Sequence, residues 1–158
     1  MRKKVEKFIK VILKISFIFY LVALVILLFI GNRGYLYTDL TLLEYMKTSS
    51  NFVPFKTINT YFTAFVDNSM NRNIPIKNLV GNFFMFLPMG IYLPFLIKKI
   101  AGLGRFVLSM IVLLFFIEVI QLVTRRGSFD IDDFILNMIG ALIGFAIWKT
   151  KYIQKLLN

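Results

Sequence analysis

Four long apolar runs, Val11–Ile30, Leu79–Ile97, Phe106–Val123 and Ile131–Trp148, dominate this chain of 158 residues and leave it few ways to fold. Each approaches the ~20 residues that carry an α-helix across a hydrocarbon layer ~30 Å thick. A soluble domain of this length would not hold 58% hydrophobic residues and a mean hydropathy of +0.75, so the chain reads as a membrane protein. Lipid offers no partner to backbone N–H and C=O groups, and helices satisfy them internally. The expected class is therefore all-α, a polytopic bundle of four transmembrane helices. The organisation that follows is a basic N-terminus with the first helix (1–30), a loop with a candidate interfacial helix (31–77), a three-helix core (78–148) and a basic tail (149–158).

The formal net charge of +11 does not point to nucleic acid, because the lysines and arginines gather at the ends of the apolar runs, where they set topology and meet anionic lipid. No Ala-x-Ala cleavage pattern follows Ile30, so the first run reads as an uncleaved anchor. With the N-terminus inside, twelve basic residues fall on the cytoplasmic side and seven, spread over far more chain, on the outer side. That density predicts both termini in the cytoplasm. Cysteine and histidine are absent, which removes disulfides, Cys-ligated metals and histidine-based catalytic triads. Nothing in the sequence asks for a cofactor. Between the first two spans, Phe55–Val66 has the pattern of a helix lying in the interface. Tyr35, Tyr37, Tyr45, Phe52, Tyr61 and Phe62 suit the headgroup level.

The chemistry lies in the polar residues that interrupt the last three runs. Ionisable groups inside a span cost about 2.5–3.5 kcal/mol each by insertion scales, so they mark pairing or functional sites. The second run carries Asn78, Gly81, Asn82, Pro88, Gly90 and Pro94; its prolines predict a kinked, well-packed helix, and Asn78 and Asn82 share a face. The third aligns Ile111, Leu114, Glu118, Gln121 and Arg125 on one face. The fourth aligns Asp133, Asn137, Gly140 and Gly144, ending in a small-xxx-small pattern for close helix approach. At ~1.5 Å per residue, Glu118 lies roughly 8 Å below the outer end of its helix and Asn137 about 9 Å below the start of the next. A short turn, Thr124 to Asp130, makes these helices antiparallel neighbours.

Asn82, Glu118, Gln121, Asp133 and Asn137 are thus expected to meet in one outer-leaflet pocket with Arg125 and Arg126 at its rim. The arginines offer planar donors for a phosphate or carboxylate, or pair with Asp130. Glu118 and Asp133 are the candidates for acid–base work. Asp130, Asp132 and Asp133 are hard-oxygen ligands for Mg²⁺ or Ca²⁺, but carboxylates at that spacing also favour a helix N-terminus. Capping is expected for Asp130 and Asp132, with Asp132 turned from the Asp133 face toward solvent.

The ordered set Asn51-x-x-Pro54-Phe55, Asn78-x-x-Gly81-Asn82-x-x-x-Phe86-x-Pro88-x-Gly90-x-x-x-Pro94, Glu118-x-x-Gln121, Arg125/Arg126 and Asp130-x-x-Asp133-x-x-x-Asn137-x-x-Gly140-x-x-x-Gly144 resembles the VanZ-like membrane proteins. Within the doublet, Arg126-Gly127 fits the single Arg-Gly of that pattern better than Arg125 does. The resemblance implies a small bacterial cell-membrane protein, of a family named for association with teicoplanin resistance and with no agreed enzymatic activity. It implies an effect on how a lipid-tailed glycopeptide engages the cell surface, while the polar convergence itself leads to the expectation of a pocket for an anionic lipid-linked or lipid-tailed envelope molecule, in contact with membrane lipids. The alternatives are an enzyme acting on a lipid headgroup and a purely structural bundle or partner subunit.

Overall fold

The computed structural model describes residues 2–31 and 39–157, so the interfacial placement of Tyr35 and Tyr37 lies outside the described residues. Four helices are long and apolar enough to cross a membrane: Lys4–Ile30, Asn73–Leu96, Leu103–Val123 and Ile131–Trp148. The first comprises α1 (Arg2–Val25) and one wider π turn, Ile26–Ile30. Then come α2 (Leu42–Thr48), the two-residue strand β1 (Ser50–Asn51), α3 (Lys56–Asp67) and α4 (Asn73–Leu96). A 3₁₀ turn, Lys98–Ile100, leads to α5 (Leu103–Val123), strand β2 (Phe129–Asp130), α6 (Ile131–Trp148) and the short α7 (Lys151–Leu157). The predicted four-span all-α bundle is the observed one. Large apolar side chains such as Phe19, Leu108 and Phe116 remain exposed on its outer surface, as lipid-facing residues should.

Helix α4 begins at Asn73, six residues before the apolar run, and Pro75 does not stop it. The first-turn N–H groups of a helix have no intrahelical partner, so proline loses nothing there. Pro88 and Pro94 lie inside the same helix. Near Pro88, which removes a ladder hydrogen bond, the Tyr20 hydroxyl donates to the Met85 carbonyl at 2.8 Å and ties α1 to α4. One turn further on, Tyr92 donates to Ser16 Oγ at 3.0 Å, and its ring packs on Phe17 and Tyr20.

Helices α4 and α6 run parallel in backbone contact. A Cβ built on Gly140 would sit 1.9 Å from the Phe83 carbonyl oxygen, and one on Gly144 would sit 1.9 Å from that of Leu87. Across the seam, a Cβ on Gly90 would meet the Ala141 carbonyl oxygen at 2.1 Å. Three glycines therefore supply the close approach, and the glycine hydrogens face carbonyl oxygens, a contact worth about 0.5–1 kcal/mol each. Gly81 is different: a Cβ there meets nothing within 4 Å. Below the seam the core is aromatic and dense, with Phe106 stacked on Phe145 at 4.4 Å and Phe86, Met110 and Leu114 essentially sealed from solvent.

The loop before α4 is built into this bundle. α2 opens with a capping box in which Thr41 accepts from the Glu44 N–H while the Glu44 carboxylate accepts from Thr41. Those bonds hold the exposed Glu44 carboxyl below its usual range. The candidate interfacial helix is present as α3, offset by one residue at each end. Strand β1 pairs in parallel with β2, Ser50 opposite Phe129 and Asn51 opposite Asp130, a contact no local pattern announces.

Candidate functional site

Polar groups gather at the end of the bundle where α6 starts, and they form two layers. In the outer layer Asp130 is the N-cap of α6, accepting from the Asp132 N–H at 2.9 Å. It also accepts from Asn51 Nδ2 at 3.0 Å and from the Thr57 hydroxyl at 2.7 Å. Asp132 departs from expectation. It is completely buried, and its two oxygens accept the backbone N–H groups of Phe55, Thr57 and Ile58 at 2.5, 2.7 and 3.1 Å. Helix α3 is preceded by Phe55 in the left-handed region (φ 65°), a residue with no side-chain acceptor for the first-turn donors. Asp132, some 75 positions away in sequence, caps that helix from outside, where the partial positive charge of its N-terminus favours an anion. These oxygens are engaged by N–H and O–H donors, and among the described residues no three carboxylates group closely enough to hold a metal ion.

The inner layer joins three spans. Asn82 of α4 donates its amide to Asp133 of α6. One turn deeper on the same face of α6, Asn137 is buried, and its Oδ1 has no hydrogen-bond donor. Glu118 of α5 is buried at 3% exposure and accepts the Asp130 N–H at 3.3 Å, which links the two layers. Of the expected set, Asn82 meets Asp133, Glu118 meets the Asp130 N–H, and Asn137 is buried one helical turn along from Asp133. Asn78 does not join them; its amide bonds back to the Ile74 carbonyl of its own helix.

Gln121 is also buried, but its amide donates to the Leu28 carbonyl at 2.9 Å. That carbonyl belongs to the π turn at the end of the first span, where the last carbonyls of a helix need donor partners from outside it. A face on a helix wheel cannot say which neighbour it meets, and here the π turn of the first span takes the amide.

The α5–α6 turn separates the two arginines. Arg125 takes the left-handed conformation (φ 53°), donates to the Leu40 carbonyl at 2.9 Å and lies over the Tyr45 ring at 5.7 Å. Tyr45 in turn donates its hydroxyl to the Gly127 carbonyl at 2.7 Å and is buried, not resting at a headgroup surface as its aromatic character had suggested. Arg125 therefore fastens α2 onto the turn and does not pair with Asp130. Arg126 is exposed on the same turn. Nothing local marks Thr57, Asn51 and Tyr45 as partners of the carboxylates and the turn; Asn51 stands out only as part of a motif and Tyr45 only as an aromatic suited to the headgroup level.

The fold and this junction define an integral membrane protein, a four-span helical bundle with acid and amide side chains buried at one end. The chain belongs to the VanZ/LLP1 family, whose model matches residues 17–153. It is similar to Protein VanZ of Enterococcus faecium, 26% identical over 112 residues that make up 71% of this chain. Those residues span 60% of the length of that relative. No solved structure matches the chain.

Proposed function

We propose that this VanZ/LLP1 member serves the bacterial cell envelope by binding an anionic lipid-linked or lipid-tailed molecule at the junction of Asn82, Glu118, Asp133 and Asn137. Arg126 supplies the charge at the rim. Arg125, Asp130 and Gln121 hold the surrounding backbone, and the distribution of basic residues puts the junction in the outer leaflet with both termini in the cytoplasm. The family name links such a protein to glycopeptide resistance, and teicoplanin, a lipid-tailed glycopeptide, fits the ligand class. The observation that carries the reading is the buried Asn137 Oδ1 without a donor, one turn below the Asn82–Asp133 pair. A buried acceptor left unsatisfied costs roughly 1–3 kcal/mol, which a hydroxyl- or amide-bearing ligand would offset.

The test is teicoplanin susceptibility of a sensitive host that expresses the chain. Glu118→Ala, Arg126→Ala and Asp133→Asn are each expected to return susceptibility to that of the empty host while membrane levels stay at wild type. Resistance unchanged in all three at equal membrane levels would refute the site. Glu118, buried, and Asp133, half-buried, also suit acid–base work on a lipid headgroup. Purified protein incubated with undecaprenyl-linked precursors separates the readings, because only an enzyme yields product.

A further inference from the structure

The opposite end of the bundle holds a second site of different chemistry. A cavity of about 780 Å³ opens there, lined by Lys10 and Lys14 of α1, Lys98 and Lys99 of the turn after α4, and Trp148 at the end of α6. Pro94, Phe95, Leu96 and Ile97 form an apolar wall, and among the described residues no carboxylate lines the cavity. A smaller groove of about 400 Å³ shares Lys10 and Lys14 and adds Lys7 and Glu6, so the basic surface continues along α1.

Lysines at helix ends ordinarily spread outward to the headgroups as separate charges. Here two chain segments far apart in sequence bring four of them around one concavity. Lys10 and Lys14 are four residues apart and so share a helix face. Four ammonium groups within one recess repel each other unless an anion sits among them. The recess joins a cationic side to a larger apolar one, and it lies at the end of membrane-spanning helices. A freely soluble anion would use only the first. A phospholipid uses both, its phosphate among the lysines and its glycerol and first acyl carbons against Phe95, Leu96 and Ile97.

We infer that this cavity binds the headgroup of an anionic phospholipid, holding one lipid at the end of the bundle away from the acid–amide junction. Either orientation of the bundle puts the cavity at a headgroup layer. The site is independent of the ligand proposed for the other end, since the two share no residue.

Trp148 is the chain's single tryptophan, so its fluorescence reports on the cavity wall without labelling. The full chain, purified in a non-ionic detergent, is titrated with short-chain phosphatidylglycerol, with phosphatidylcholine of the same acyl length, and with inorganic phosphate. Phosphatidylglycerol is expected to shift the emission saturably, whereas the other two do not. Each lysine near a headgroup layer contributes about fivefold to attraction for anionic lipid, so Lys98→Gln/Lys99→Gln should weaken the apparent affinity at least tenfold. These two side chains are exposed on a turn, so the variant should keep the wild-type elution volume and helical circular dichroism. Lys98→Arg/Lys99→Arg should restore binding, and Lys47→Gln/Lys77→Gln, on α2 and at the start of α4, should bind as wild type. No saturable response, an equal response to phosphatidylcholine, or wild-type affinity in the Lys98/Lys99 variant would overturn the inference. Equal saturation by inorganic phosphate would overturn the lipid assignment.

Discussion

Gly140→Val and Gly144→Val are each expected to abolish the folded protein, measured as the monodisperse fraction in detergent and the thermal midpoint of what remains. The new Cβ would stand 1.9 Å from a carbonyl oxygen of α4, and that obstacle is backbone, which cannot swing aside as a side chain can. Relief requires α4 and α6 to separate along their whole seam, undoing the Asn82–Asp133 bond above and the Phe86, Met110 and Phe145 packing below. Overpacking typically costs 1–3 kcal/mol and occasionally more; two rigid backbones in contact put this case at roughly 3 kcal/mol or beyond. Gly90→Ala should fail for the same reason, with its Cβ 2.1 Å from the Ala141 oxygen. Gly81→Ala is the control: it sits on the same helix with open space around it and should match or slightly exceed wild-type stability. If Gly140→Val melts no lower than Gly81→Ala, the close α4–α6 seam is wrong.

That contrast also shows what a sequence can and cannot say about glycine. Gly81, Gly90, Gly140 and Gly144 look alike in a helical pattern, and only the three that meet a facing backbone are constrained by packing. The four spans were legible because hydrocarbon imposes length and composition directly: Ile131–Trp148 matches to the residue, the others begin three to seven residues before their apolar runs, and the second ends one residue early, at Leu96. The α6 stripe was legible too, since Asp133, Asn137, Gly140 and Gly144 repeat at three and four and α4 is where that stripe packs. Its boundary with the loop was not. Ser50–Asn51 and Phe129–Asp130 are too short to show strand periodicity, and their pairing is set by the fold around them. Tyr45 reads as an interfacial aromatic until Gly127 comes within reach of its hydroxyl. Gln121 shares a face with Glu118, yet rotation of α5 between two neighbours sends one side chain to the π turn of the first span and the other to the start of α6.

Asp132→Ala is expected to release the Asn51–Ile58 segment and lower stability by about 3 kcal/mol or more, because three N–H groups lose a charged acceptor at once. Asp132→Asn should be nearly as damaging. One oxygen takes Phe55 and the other takes Thr57 and Ile58, so an amide must turn its NH₂ toward a donor whichever way it is flipped. Hydrogen exchange locates the effect: the amides of Phe55, Thr57 and Ile58 should lose protection while mid-span amides of α5 keep theirs. Thr57→Val is the graded counterpart, removing the hydroxyl that donates to Asp130 and accepts from Asn51 while leaving the Thr57 N–H on Asp132. It should loosen the same segment by about 2 kcal/mol, the range of a hydrogen bond to a charged group. Wild-type exchange at Thr57 and Ile58 in Asp132→Ala would show that α3 finds its cap elsewhere. The expected loss instead makes Asp132 the residue that holds the loop over the acid–amide junction, so that Asp130 and Asp132 shape the site's rim while Asp133, about 100° round the helix from Asp132, reaches Asn82.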